Sequence, residues 1–191
     1  MAIRRNAVWA ELVQLVPIIS LAFPFIIEGR VDISRAGTGF LIGALLAIPI
    51  SSIVVLCNQL LNPILVGAGI WLWLGALAFK LPVAPLAAWM VETQAFGLFA
   101  AALAAGLAAT LISPHGYVAC RSSDPRWIRR ASLGLLGLTL VILCWTWLFR
   151  RDIRLGGGVP FIVLNVARRV LGRRAPLASA ATPRDRCCQS D

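Results

Sequence analysis

The sequence predicts an all-α fold: a polytopic membrane helix bundle of about five transmembrane helices, with a C-terminal amphipathic basic helix and a disordered tail. Three observations predict it. The chain is 59% hydrophobic and 14% charged, with a mean hydropathy of +0.83, whereas soluble domains run nearer half apolar and a quarter charged. The apolar residues come in uncharged runs of roughly the 20 residues that a helix needs to cross hydrocarbon. The basic residues lie outside those runs. A net charge of +10 on a soluble chain points to nucleic acid. Around membrane runs it points instead to orientation by flanking arginines and to anionic lipid. No nucleic-acid partner is expected.

Span 1 is expected over residues 7–27, behind Arg4 and Arg5. Ser20 and Ala22 offer a small-x-small cleavage site. Glu11, Gln14 and Pro17 interrupt the apolar region that a signal peptide needs, so the span is expected to be retained. Span 2, residues 38–57, carries Gly39, Gly43, Ala47 and Ser51 at every fourth position, and Pro49 should bend it. "NQLLNP" is short enough only for a tight turn. It makes span 3, residues 60–79, the antiparallel partner of span 2. Pro82 and Pro85 discourage helix after that, which predicts an interfacial or partly re-entrant lead-in before span 4 at 86–110. The longest loop follows, and then span 5 at 131–149. Residues 1–150 thus form the transmembrane domain.

In residues 151–175 the apolar run is only about 13 residues long, short of a span. As a helix it places Val163, Ala167, Val170 and Leu171 on one side and Asn165, Arg168, Arg169 and Gly172 on another. That pattern predicts a basic helix lying among headgroups. Arg168, Arg169, Arg173 and Arg174 are its candidate contacts to anionic lipid. Residues 176–191 are polar with prolines and read as the disordered tail.

Span 4 is sorted by size. Gly97, Ala101, Ala105 and Ala109 form one row at every fourth position. Ala100, Ala104 and Ala108 form a second; Ala102, Gly106 and Thr110 form a third. Small rows let helix backbones approach closely in a membrane, where burial from water no longer drives association. Span 4 is therefore expected at the centre of the bundle, with span 2 as its natural partner.

Between Lys80 and Arg121, Glu92 is the only side chain charged at neutral pH. It continues the Ala100–Ala104–Ala108 row backwards. A carboxylate in lipid costs several kcal/mol unless it is protonated, paired or near water. Three readings compete: an interfacial acid about 9 Å or less inside the boundary, a structural hydrogen-bond partner, or a proton site. Glu92 and Gln94, with Glu11 and Gln14 of span 1, are the candidate intramembrane polar site. His115 and Tyr117 follow span 4; Tyr117, Trp9, Trp89, Trp127, Trp145 and Trp147 fall where an aromatic belt belongs. Trp71 and Trp73 fall in the middle of span 3 and are expected to pack against small rows.

Chemistry has little support. The five cysteines include no C-x-x-C, and H-E-x-x-H, P-loop and G-x-S-x-G patterns are missing. No catalytic residue, cofactor or metal is expected. What the residues do show is packing faces. The expected function is an accessory or assembly factor that acts through helix–helix contacts, with a membrane-protein partner or copies of itself. The alternative is a small solute or proton-coupled transporter; a lipid-active enzyme ranks third. Arginine outnumbers lysine by 17 to 1, an association with GC-rich bacterial genomes that suggests a bacterial cytoplasmic (inner) membrane. The basic tail predicts a cytoplasmic C-terminus.

Overall fold

The computed structural model of the chain describes residues 13, 15–17, 33–57, 60–81, 83–120, 122, 124–150 and 154–175. Most of span 1, with Glu11 and Gln14, and the tail with Cys187 and Cys188 lie outside them. The described elements are all helical: α1 (Ile33–Leu56), α2 (Pro63–Lys80), α3 (Ala84–Thr93), α4 (Ala95–Ile112), α5 (Pro125–Leu148), a π-helical turn (Arg154–Gly158) and α6 (Val159–Arg174). Among the described residues no strand occurs. Five helical stretches are long and apolar enough to cross a membrane: Gly37–Leu56, Pro63–Lys80, Ala95–Ile112, Pro125–Leu148 and Leu155–Arg174.

Local chemistry sets the helix starts. Asn62 caps α2, accepting from the Ile64 amide at 3.1 Å, and Asp124 caps α5, accepting from the Arg126 amide at 2.9 Å. A side-chain acceptor satisfies an amide that has no intrahelical partner. Each cap is followed by proline at the first helical position, where a missing N–H costs nothing.

α1 and α2 form an antiparallel pair. Gly37 and Phe40 meet Phe79 at one end, Ala44 packs with Leu72 and Ala76 in the middle, and Ala47 faces Gly69 further on. α2 and α4 also run antiparallel. The backbone of Gly67 lies against Ala101 and Ala102, and the Trp71 ring covers Gly97. α2 therefore sits between α1 and α4, and each packs most extensively on it. This differs from a direct pairing of spans 2 and 4. The reason is that α2 carries small residues on two sides, Gly67 toward α4 and Gly69 toward α1.

α5 covers the other flank of α4, with Phe96 edge-on to Trp147 at 5.3 Å. α6 returns along α5. Trp145 donates to the Leu155 carbonyl at 3.0 Å near the turn, and Leu164 joins Leu135, Leu136 and Leu143 in the main core. The start of α5 and the end of α6 thus lie at the same end of the bundle.

The stretch expected as one span over 86–110 is two helices. Gln94 interrupts it at φ 45°, ψ −120°, a conformation that an L-residue adopts only at a cost. α3, ten residues long, takes up two residues of the expected lead-in and the first eight of the expected span, with Met90 packed on Trp71 and Ala78. The apolar crossing helix is α4 alone.

Candidate functional site

Glu92 is exposed at the end of α3, as is Gln94 at the break. Among the described residues Glu92 has no hydrogen bond or ion pair. The buried polar side chain of this stretch is Thr93, whose hydroxyl donates to the Trp89 carbonyl at 2.9 Å. The row that Glu92 was expected to continue is also turned outward: Ala104 and Ala108 are exposed, while Gly97, Ala102 and Gly106 are buried. Of the remaining small positions, Gly39 and Gly43 are buried in α1, and Ala47, Ser51, Ala101, Ala105 and Ala109 are half-buried.

The structure assembles its polar groups elsewhere. After α4 the chain folds back on the bundle, and Tyr117 is completely buried (0% exposed). Its amide donates to Ser132 Oγ at 2.9 Å, and its hydroxyl lies 3.3 Å from Thr139 Oγ1. Thr139 itself donates to the Leu135 carbonyl at 2.8 Å. Two glycines make room. A Cβ on Gly106 would stand 2.6 Å from the Tyr117 ring. Gly116, at φ 60°, carries the turn into the space beside Ser132 and Ile128. That backbone conformation is open to glycine at little cost.

Two further elements converge on this seam. Asn62 Nδ2 donates to Asn165 Oδ1 at 3.3 Å, tying the start of α2 to the middle of α6, and Asn165 Nδ2 donates to the Phe161 carbonyl at 2.9 Å. Arg168, one turn on, is 7% exposed, and its charge reaches both Tyr117 and Cys120. Burial pushes the Tyr117 phenol up from 10.0 to about 12, partly opposed by the Thr139 hydrogen bond and then by Arg168. Burial likewise raises the Cys120 thiol, against the same arginine.

Tyr117 was expected in the aromatic belt; instead it is core. Three signals in the sequence mark the seam. Gly106 lies in the last two turns of α4. Gly116 directly precedes Tyr117. Ser132, Thr139 and Thr146 recur every seventh residue, which stacks their hydroxyls along one face of α5. Trp89, Trp145 and Trp147 are partly exposed, and Trp147 carries Arg150 at 4.8 Å over its ring. Trp71 is buried against Gly97 and edge-on to Trp89 at 5.5 Å.

α6 differs from the expected headgroup helix in where Arg168 lies. Val159, Ile162, Val163, Val166 and Val170 are exposed, while Leu164 and Arg168 face inward. A surface helix in headgroups shows water its polar side. This helix exposes its valines together with Arg169, Arg173 and Arg174, and buries Arg168, which was expected among the headgroups.

The seam's hydroxyls and amides hydrogen-bond one another and nearby carbonyls, tying α2, α5, α6 and the Tyr117 loop together. Among the described residues no group of three or more His, Cys, Asp or Glu could hold a metal ion. A shallow crevice of about 20 Å³ lies between Pro17 and the α1–α2 pair, lined by Ala47, Ile50, Ser51, Leu65 and Gly69 among others, with Ser51 the polar side chain among its described lining. No family model, curated protein or solved structure matches the chain. The fold defines the class: this is a helical multi-pass membrane protein.

The chain holds one tyrosine, so its ionisation can be read without ambiguity at 295 nm. In the folded protein the absorbance should rise with a midpoint near pH 12, returning to the ordinary value near 10 on unfolding. The unfolded chain then gives up a proton that the folded chain keeps. Stability should fall as pH rises from about 10 toward 12. An ordinary midpoint in the folded protein would contradict the buried placement.

Proposed function

We propose that the protein is an accessory or assembly factor of a bacterial inner-membrane system, acting through helix–helix contacts. One observation carries this reading: the buried Asn62, Thr93, Ser132, Thr139 and Thr146 spend side-chain hydrogen bonds within the bundle. The interior is built to hold shape, and small residues supply the contacts. The partner is another membrane protein or a second copy of the chain.

The transporter reading has one observation in its favour. α3 and α4 are a broken helix, the device by which many carriers present polar ends to a solute. It ranks second because Glu92 and Gln94 point outward and Thr93 bonds its own helix. Both readings can be tested in one preparation. Protein extracted gently from its native membrane should migrate as part of a larger complex. Proteoliposomes should pass no proton flux after a pH jump, and Glu92→Gln should match wild type. A strictly monomeric extract, or a flux abolished by Glu92→Gln, reverses the ranking.

Orientation belongs to the same proposal. α6 is taken as a crossing helix, which gathers the arginines of early α5 and late α6 at one end. By the positive-inside rule that end, and the C-terminus, face the cytoplasm. A C-terminal alkaline phosphatase fusion should be inactive and a fluorescent-protein fusion bright; an active phosphatase contradicts the orientation.

A further inference from the structure

We propose that the arginine-bearing end of the bundle is a binding surface for the phosphate headgroups of anionic phospholipids, built jointly by α5 and α6. It goes beyond the assembly reading and rests only on the fold. α5 exposes Arg126, Arg129 and Arg130 in its first two turns, and α6 exposes Arg169, Arg173 and Arg174 in its last two. In sequence these groups flank an apolar helix and a return helix, and they read as competing for opposite faces. The α5–α6 hairpin puts them at one end.

Nothing described within the protein neutralises most of this charge. The described acid at this end is Asp124, whose single negative charge caps α5 through the Arg126 amide and offsets only one of these arginines. Arg126, Arg129, Arg130, Arg173 and Arg174 form no ion pair among the described residues. A second observation concerns direction. The amide end of a helix favours anions, worth a few tenths to about 1 kcal/mol each. The first turn of α5 has no acid and instead carries Arg126, with Arg129 and Arg130 just beyond it. Beyond the single Asp124 carboxylate, Arg126, Arg129 and Arg130 repel one another and oppose the helix dipole there, which favours further anions from outside the chain.

Depth identifies the source of those anions. The outward apolar side chains of α5, Leu148, Val141, Leu140 and Leu133, stop one turn short of Arg129 and Arg130. Those of α6 run from Val159 to Val170 and stop just before Arg173. Arg129, Arg130, Arg173 and Arg174 begin where the outward apolar side chains end, which is where phosphate groups lie, and Arg169 sits one turn deeper. Half-buried Trp127 sits in the same turn, as an interfacial ring should. A phosphodiester oxygen pair matches the forked N–H donors of guanidinium. Free phosphate offers similar chemistry, but a bilayer delivers the headgroup at this depth permanently. Arg168 takes no part, being buried beneath the Tyr117 loop.

The experiment uses the full chain in detergent with defined lipids, counting retained lipids by native mass spectrometry. Wild type should keep phosphatidylglycerol in clear preference to phosphatidylcholine. Neutralising Arg129 and Arg130 together, or Arg173 and Arg174 together, each to Gln, should reduce that retention at least fivefold, the scale of one basic residue at an anionic leaflet. Helical circular dichroism should be unchanged in both. Millimolar inorganic phosphate should not displace the lipid. Equal retention of the two lipids by wild type overturns the proposal. So does loss confined to one of the two pairs, or displacement by free phosphate or by a short RNA.

Discussion

Gly67→Leu is expected to leave no folded protein to extract, and Gly67→Ala to cost about 1–3 kcal/mol, the range for overfilling a packed interior. A Cβ at this position would stand 2.5 Å from Ala102 Cα, 2.6 Å from its amide nitrogen and 2.7 Å from the Ala101 carbonyl oxygen. All three are main-chain atoms of α4, so no side-chain rotation relieves the clash. The helices must separate, and with them goes the dispersion contact that holds membrane helices together. The control is Gly134→Ala, on the outward face of α5, where nothing lies within 4 Å. That change should be neutral or mildly stabilising, because alanine is the better helix former by about 1 kcal/mol. Heating in detergent followed by size-exclusion chromatography measures both. Equal melting of Gly67→Ala and wild type would remove α2–α4 contact from the account of stability.

Tyr117→Ala should cost about 3–5 kcal/mol, the loss expected when a large buried ring is emptied. Tyr117→Phe should cost only about 0.5–1.5 kcal/mol, the net worth of an ordinary hydrogen bond. The ring fills the space above Gly106 and packs in the cluster that includes Phe99, Leu135 and Leu164. The hydroxyl adds one contact, to Thr139, at 3.3 Å. Most of the effect should therefore be shape. If the two variants melt alike, the hydroxyl rather than the ring is what holds the loop. If neither differs from wild type, the loop does not fold back as described.

Much of the fold was legible in the sequence, because hydrocarbon imposes one simple demand. Uncharged runs of about the right length became α1, α2 and α5 within a few residues of their expected bounds, apart from early starts of α1 and, further still, of α5. That start belongs to Asp124 and Pro125, a cap-and-proline pair visible in sequence but outweighed by the charges after it. The break at Gln94 was not legible. Glutamine carries no signature for positive φ, and the prolines that announced a lead-in sit ten residues earlier. In α6 the burial of Arg168 was not legible either. Asn165 and Arg168 were counted as water-facing because their partners, Asn62 and the Tyr117 loop, are more than 45 residues away in the chain. The candidate site followed the same pattern. An isolated carboxylate drew the eye to Glu92, whereas the buried polar groups are hydroxyls and amides, which differ little from their apolar neighbours in a hydropathy profile.

The inward face of α6 has a consequence for how the protein is made. A nascent helix leaving the ribosome is sorted into lipid one segment at a time, and an arginine near its centre counts against entry by about 2.5–3.5 kcal/mol. With a hydropathy of only 1.2, Leu155–Arg174 has little to set against that cost. α5, at 1.9 and with no charge after Arg130, has ample. α6 should therefore not enter alone. It is expected to enter as the second arm of a hairpin with α5, the arrangement in which Trp145 donates to the Leu155 carbonyl and Leu164 packs in the core with α5. The order of synthesis, α5 and then α6, is the order that this requires.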